Sequence, residues 1–215
     1  MKLTLCADSL SNIVWYADAS HQLHDDCKGH TGSILTFGKG AVTSSSTKHK
    51  IPSKSSCESE IIGIYDKIGD ILWTRQFLEA QGYTIQTNII YQDNMSTLSL
   101  AKNGYVSSSK RTKHIKAKYF FVCHFYCTGE VDLQFCPSEQ MWADVLTKPL
   151  QGAKFRQMRA FLMNCPIDYH ETELMALPSP EPTLAPTRIV HPQKPTTGHL
   201  PQDDPTDHPT KPGVC

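Results

Sequence analysis

The distribution of proline limits which parts of this 215-residue chain can form a packed domain. Ten of its 14 prolines lie between Pro178 and Pro212, where Thr, Asp, His and Gln are also frequent. A segment of that composition cannot bury enough apolar surface to offset the chain entropy lost on folding. The sequence therefore predicts one domain over residues 1–165 and a disordered, Pro-rich tail over residues 166–215.

Short apolar runs and one long periodic stretch predict an α/β domain. Runs of about four to eight mostly apolar residues suit buried strands. The predicted strands are 12–17, 32–37, 41–46, 84–91 and 130–135. The predicted helices are 58–81, 94–102, 112–127 and one from Met141 onward, with Pro149 near its end or at a break. In the first helix, apolar residues recur on one side before Gly82 ends it: Ile61, Ile62, Tyr65, Ile68, Leu72 and Phe77.

Composition and charge exclude several classes of protein. Lys and Arg total 21 and so do Asp and Glu, so bulk charge does not indicate a nucleic-acid partner. No run approaches the length of a membrane span, and the first ten residues lack the apolar core of a signal peptide. We therefore expect an intracellular protein with no membrane partner and with reduced cysteines. Cys123 and Cys127 have the spacing of half a zinc site, but no second ligand pair accompanies them, so we interpret them as packing residues.

Four acidic residues occupy the ends of predicted elements. Asp18 follows the first strand, Asp93 follows the fourth, Glu60 lies in the first turn of the long helix, and Asp144 lies near the start of the last helix. Ligands of open α/β sheets gather beyond the strand ends. Clustered carboxylates repel one another unless cations bind, so four together would suit Mg²⁺. Each acid alone fits equally well as a turn residue or as a partner of the helix dipole.

Six motifs, in the same order along the chain, resemble the ribonuclease H region of copia-type LTR retrotransposon polyproteins. They are Tyr16–Ser20 (YADAS), Gly29–Gly32 (GHTG), Lys54–Glu60 (KSSCESE), Gln92–Asn94 (QDN), Lys110–Ile115 (KRTKHI) and Ala143–Leu150 (ADVLTKPL). The resemblance covers residues 10–163. It implies a ribonuclease H-like α/β fold, in which helices flank a mixed five-stranded sheet whose first three strands are antiparallel.

The resemblance also implies the catalytic residues, which are the metal-binding carboxylates Asp18, Glu60, Asp93 and Asp144. Glu60 is chosen over Glu58 because it directly precedes the apolar stretch of the helix, as in related ribonucleases H. The two side chains lie about 200° apart around a helix of 3.6 residues per turn, so both cannot face one site. The implied cofactor is a pair of Mg²⁺ ions, for which Mn²⁺ is a possible substitute, and the implied reaction is two-metal hydrolysis of the RNA strand of an RNA–DNA hybrid.

Two features depart from the wider family pattern. Cys57 stands where the family usually has Thr, and residues 137–141 lack the His that cellular ribonucleases H often carry before the last helix. The chain also has no Tyr-x-Asp-Asp polymerase motif. The reverse transcriptase of the same polyprotein is therefore an implied partner rather than a part of this chain.

A basic stretch indicates a nucleic-acid surface. No Asp or Glu occurs between Met95 and Gly129. The predicted nucleic-acid-binding residues are Lys110, Arg111, Lys113, His114 and Lys116. Phosphate contacts from such residues give salt-sensitive binding that is independent of sequence. A solvated helix face is the alternative for any run of charge.

The sequence thus favours an Mg²⁺-dependent endonuclease acting on RNA–DNA hybrids. One alternative is a catalytically decayed nucleic-acid-binding or structural module of the same fold, against which the presence of all four acids argues. Another is a different nuclease or an integrase on this fold. Those enzymes usually carry fewer or differently spaced acids, so the ordered motifs favour the first function.

Overall fold

The computed structural model describes residues 2–103 and 116–167. The predicted tail beyond residue 167 and the basic residues Lys110, Arg111, Lys113 and His114 lie outside these ranges. The strands are β1 (Cys6–Ala7), β2 (Asn12–Ser20), β3 (Lys28–Thr36), β4 (Gly38–Lys39), β5 (Thr43–Pro52), β6 (Thr87–Gln92) and β7 (Asp132–Phe135). The α-helices are α1 (Ser56–Ala80), α2 (Met95–Asn103), α3 (Lys116–Cys127) and α4 (Gly152–Met163).

Five strands form one mixed sheet in the order β5-β3-β2-β6-β7, and β1 pairs with β4 in a small separate sheet. Strand β3 is antiparallel to both of its neighbours, β2 and β5, whereas β6 runs parallel to β2 and β7 runs parallel to β6. The predicted mixed five-stranded sheet with three antiparallel first strands is therefore confirmed. Because β2 and β6 are parallel neighbours, their carboxyl ends meet at one edge of the sheet.

The sheet is covered on both faces. In β2, alternate residues Ile13, Trp15 and Ala17 join the larger core, which the apolar side of α1 completes. The smaller core on the other face contains Ile34 and Met141, and Tyr16 and Trp142 pack against it. This alternation has the two-residue period of a strand, so one short segment serves two cores.

The long helix begins at Ser56, two residues before the predicted start, because Ser55 is its N-cap and accepts a hydrogen bond from the Glu58 backbone N–H. On the predicted apolar side of α1, Ile61, Ile62 and Ile68 are buried, whereas Phe77 near the helix end is 47% exposed. The helix ends at Ala80, and Gly82 just beyond it adopts a positive φ of 90°.

The helix predicted from Met141 onward is wrong in its first part, up to the break expected at Pro149. Two short 3₁₀ segments, Ser138–Gln140 and Trp142–Leu146, come first, and α4 begins only at Gly152. Pro149 separates them, because proline has no backbone N–H and disfavours the helical conformation in the residue before it. Asp144 therefore lies in a 3₁₀ segment rather than near the start of the last helix.

None of the helices in the described ranges is long and apolar enough to cross a membrane. The described cysteines are all free thiols. Cys123 and Cys127 lie with their Sγ atoms 3.7 Å apart on α3.

Candidate metal centre

Three of the four predicted acids converge at the edge where β2 and β6 end. Tyr16 of β2 is paired with Tyr91 of β6, and Asp18 and Asp93 each follow two residues later. Glu60 reaches the same place from the second turn of α1. One carboxylate oxygen from each of Asp18, Glu60 and Asp93 lies within 4.8 Å of the other two. Asp18 and Glu60 are buried, and Asp93 is partly buried.

Glu58 has a different role from Glu60 although both are buried. Its Oε2 accepts a hydrogen bond of 2.7 Å from the Lys54 backbone N–H, while its own N–H donates to Ser55 Oγ. This reciprocal arrangement is a variant of the capping box that satisfies free N–H groups at a helix start. The structure thus places Glu60, and not Glu58, with Asp18 and Asp93.

Asp144 lies next to these three acids but is not one of the converging group. Its Oδ1 is 2.6 Å from Lys148 Nζ and its Oδ2 is 3.0 Å from Lys154 Nζ. The Lys148 ammonium is also 3.6 Å from Asp18 Oδ1, so one cation bridges the two aspartates. Thr147 completes this link by donating a hydrogen bond to Asp18 Oδ2.

The Gln92 side chain forms hydrogen bonds that link Glu60 to the turn carrying Asp93. It is fully buried. Its Nε2 donates to Glu60 Oε2 at 3.1 Å and to the Ala17 carbonyl at 3.2 Å. Its Oε1 accepts from the backbone N–H of Asp93 at 2.8 Å and of Asn94 at 3.1 Å. A single amide therefore fixes the position of Glu60 relative to the turn that carries Asp93.

Sequence reasoning did not assign Gln92, Thr147, Lys148 or Lys154 to the site. The first three lie in motifs that resemble the family, so their position in those motifs could have indicated them as site residues. Lys154 lies in α4, outside those motifs, and no sequence pattern indicates its contact with Asp144.

Burial and mutual repulsion make the acids costly to keep ionised. Burial raises the pKa of Glu60 well above its usual value, and the nearby Asp18 raises it further, while the Gln92 hydrogen bond lowers it. Burial also raises the pKa of Asp18, against the opposing effects of Lys148 and Thr147. Burial opposes the charge of Lys148, but the two aspartates beside it raise its pKa overall.

The residues present fit a divalent cation. Three carboxylates with oxygen atoms close together form a hard, oxygen-only donor set of the kind that Mg²⁺ prefers. A cation among them would remove the repulsion that raises the pKa of Glu60. The acids open onto a pocket of about 720 Å³, which we call the carboxylate pocket. It is lined by Asp18, Ala19, Ser20, His21, Ser56, Glu60, Asp93, Asn94, Met95, Ser96, Phe135 and Lys148.

Of the five predicted nucleic-acid-binding residues, only Lys116 is in the described ranges. It is the first residue of α3, and its ammonium lies 5.4 Å from the centre of the Phe120 ring. It does not line the carboxylate pocket.

The relatives found by sequence comparison are of the same kind as the family that the motifs resemble. No protein-family model matches the chain. Over 131 residues it is 28% identical to the retrovirus-related Pol polyprotein from transposon TNT 1-94 of Nicotiana tabacum, which covers 61% of this chain and 10% of the polyprotein. Over 154 residues it is 28% identical to the corresponding polyproteins from transposons RE2 and RE1 of Arabidopsis thaliana, covering 71% of this chain and 10% of each polyprotein. The chain thus spans about a tenth of the length of these curated relatives.

Solved structures are similar at lower identity. LC11-RNase H1, isolated from compost, has a TM-score of 0.48 at 18% identity, covering 63% of this chain and 92% of that one. The same enzyme in complex with RNA/DNA hybrid has a TM-score of 0.47 at 16% identity, covering 63% and 93%. The Prototype Foamy Virus protease-reverse transcriptase has a TM-score of 0.40 at 10% identity, covering 75% of this chain and 22% of that one.

The order and directions of the strands agree with the fold that the motifs imply. The sequence similarity to the transposon polyproteins agrees with the retrotransposon family that the motifs resemble. The protein has a ribonuclease H-like fold, and its homologues are the retrovirus-related Pol polyproteins of copia-type transposons.

Proposed function

We propose that this chain is the ribonuclease H domain of a retrotransposon Pol polyprotein and that it hydrolyses the RNA strand of RNA–DNA hybrids. The observation that carries the proposal is the convergence of Asp18, Glu60 and Asp93, with Asp144 beside them, at one edge of the sheet. Three acids far apart in sequence converge there, and Asp144 lies beside them. Such a cluster is costly for stability, which is typical of a functional site.

Asp18, Glu60, Asp93 and Asp144 would hold two Mg²⁺ ions. Bound there, these ions supply a water of lowered pKa and stabilise the leaving oxygen. The chain's own residues orient this centre. Gln92 holds Glu60 and the Asp93 turn in a fixed relation, and Thr147 holds Asp18. Accurate placement of ligands by such hydrogen bonds raises both affinity and activity.

Lys148 and Lys154 balance part of the negative charge at Asp144. Each oxygen of that carboxylate has a further lone pair beside its lysine contact, so Asp144 can bind a cation while both contacts remain.

The substrate surface is proposed on charge. Lys110, Arg111, Lys113, His114 and Lys116 would contact phosphates, because this stretch is basic in a protein of zero net charge. The reverse transcriptase of the same polyprotein is the proposed partner, since the matched relatives are Pol polyproteins and the matched region is 10% of each of them.

The test is cleavage of a labelled RNA–DNA hybrid by the full purified chain in Mg²⁺, in Mn²⁺ and in EDTA. Glu60→Gln and Asp93→Asn should each lower cleavage by about a hundredfold or more, because they remove a charged ligand. Glu58→Gln is the matched control, since Glu58 lies on the same helix, is similarly buried and accepts a hydrogen bond from the Lys54 backbone N–H at the helix start. It should cleave like the original chain.

Cleavage that persists in EDTA, or that is equal in all three variants, would contradict the proposal. Hybrid binding without any cleavage by the original chain would instead support the catalytically decayed module. Cleavage and binding are measured on the same labelled hybrid, and a gel shift measures the binding.

A further inference from the structure

His21 lies at the start of the loop after β2 and lines the carboxylate pocket. Its Nδ1 is 2.9 Å from Ser53 Oγ and 3.3 Å from Ser59 Oγ, and the two hydroxyl oxygens are 2.5 Å apart. Ser53 follows β5 and Ser59 directly precedes Glu60 in α1, and both serines are buried. The ring is therefore held in one orientation beside the acids by two other elements of the fold.

The number of hydrogens in this network determines which ring nitrogen carries one. Ser53 and Ser59 have two hydroxyl hydrogens, and among the described residues neither hydroxyl has another acceptor. If Nδ1 accepts, one hydrogen goes to Nδ1 and the other to the neighbouring hydroxyl oxygen, so both are used. If Nδ1 carried a hydrogen, one hydroxyl hydrogen would remain unpaired in a buried place, which is unfavourable. The network thus favours the tautomer that has its hydrogen on Nε2.

That Nε2–H group has no partner in the part of the chain that the structure describes. Because Nδ1 faces the serines, Nε2 is the edge of the ring that remains for a ligand. Ser20 and Ser56 also line the pocket, and their neutral hydroxyls do not repel an anion. A hydrogen-bond donor in such surroundings suits the oxygen of a phosphodiester group.

We infer that His21 is a substrate-binding residue, which donates a hydrogen bond from Nε2 to a backbone phosphate of the hybrid at the edge of the carboxylate pocket. The inference rests on the proposed function and extends it to a residue outside the carboxylates. The contacted phosphate is a neighbour of the one that is cut, so the contact is present before and during the reaction. Uniform binding of this kind lowers KM and leaves kcat nearly unchanged.

The competing explanation is that His21 only joins the end of β5 to α1 through its Nδ1. Two variants separate these roles, because the amide of Gln reaches the place of Nε2 and the amide of Asn reaches the place of Nδ1. His21→Gln should therefore keep a phosphate contact, and His21→Asn should keep only the contact with the serines. His24→Ala is the matched control, because His24 lies in the same loop, pairs with His30 at 3.0 Å and does not line the pocket.

The experiment measures kcat and KM of the full chain on a labelled hybrid in Mg²⁺, together with the melting temperature of each variant. His21→Ala should raise KM by about tenfold, the effect expected for loss of a hydrogen bond to a charged group. Its kcat should stay within about twofold, since uniform binding does not change kcat. His21→Gln should recover most of the loss, His21→Asn should not, and His24→Ala should match the original chain.

An unchanged KM in His21→Ala, or recovery by Asn instead of Gln, would overturn the inference while leaving the proposed function in place. Absence of cleavage by the original chain would overturn the proposed function. In that case, hybrid affinity in EDTA is compared for the same variants. Equal affinities, or no binding by any of them, would then overturn the inference as well.

Discussion

Helix α1 lines two concave regions of this protein that differ in almost every property. Its second turn contributes Glu60 to the carboxylate pocket, where burial raises the pKa of Glu60 and of Asp18. Its last turns contribute Trp73 and Phe77 to an apolar groove of about 480 Å³ beside β3 and β5, which we call the aromatic groove. Trp73 is 63% exposed, and its ring stacks on Phe77 with centroids 5.1 Å apart.

Comparing these two regions shows which features of a concave surface indicate a functional site. In the aromatic groove, exposed apolar area is the main feature, and Thr74 Oγ1 donates to a carbonyl of its own helix. In the carboxylate pocket, charged groups are kept in a costly state that packing alone does not explain. Perturbed ionisable groups in a cleft are the stronger sign of a functional site. The following predictions test this difference, from the largest expected change in stability to the smallest.

Replacing Gln92 should have the largest effect. Gln92→Leu leaves Glu60 Oε2 and the N–H groups of Asp93 and Asn94 without their partner in a buried place. We expect a loss of about 3 kcal/mol, because each unsatisfied buried group costs about 1–3 kcal/mol. The melting temperature should fall by roughly 5–10 °C for a domain of this size. A fall of less than a degree in calorimetry would mean that the amide does not organise the pocket.

Gly32→Ala should have the next largest effect. A Cβ at Gly32 would lie 2.8 Å from the Ala143 carbonyl oxygen, from Leu146 Cβ and from Thr147 Cγ2, so β3 and the 3₁₀ segment would have to separate. Such overpacking costs about 1–3 kcal/mol. Gly69→Ala is the control, because nothing lies within 4 Å of its added Cβ, and it should stabilise α1 by about 0.5–1 kcal/mol. Chemical unfolding measures both, and equal midpoints would contradict the close packing.

The pH dependence of stability should report the cost of Glu60. Because its folded pKa is raised, Glu60 contributes stability below its ordinary value of 4.5, and this contribution is lost as pH rises through the raised value. In EDTA, Glu60→Gln should therefore melt above the original chain at pH 7, and the difference should shrink towards pH 4. Mg²⁺ should reverse the order at pH 7 by stabilising only the original chain. A difference in melting temperature that is constant with pH would show that the fold does not raise the pKa of Glu60.

Changes in the aromatic groove should have the smallest effect. Trp73→Gln replaces a mostly exposed ring in α1, so stability should change by no more than about 0.5 kcal/mol. Hybrid cleavage should be unchanged, because the groove contains none of the acids. Loss of cleavage in this variant, at an unchanged melting temperature, would bring the groove into the functional surface.

Local patterns predicted most of the fold. The apolar runs located all five strands of the main sheet, although β2 and β5 extend beyond their predicted ends. The prediction of an α-helix between Met141 and Pro149 is wrong because its apolar residues resemble those of a helix, whereas this stretch forms a short 3₁₀ segment packed closely against Gly32. A pattern of period 3.6 cannot by itself distinguish these outcomes in so short a stretch.

The motifs also identified the four acids, and the sequence by itself determined their order, their neighbours and the family they resemble. Only the tertiary structure decided how they are used. It showed that Glu58 accepts a hydrogen bond from the Lys54 backbone N–H at the helix start, whereas Glu60 lies with the other acids. It also paired Asp144 with two lysines and placed the Gln92 amide between Glu60 and the Asp93 backbone. The physical reason is that element ends are local properties of sequence. Which polar groups share a buried space depends on contacts between residues far apart in the chain.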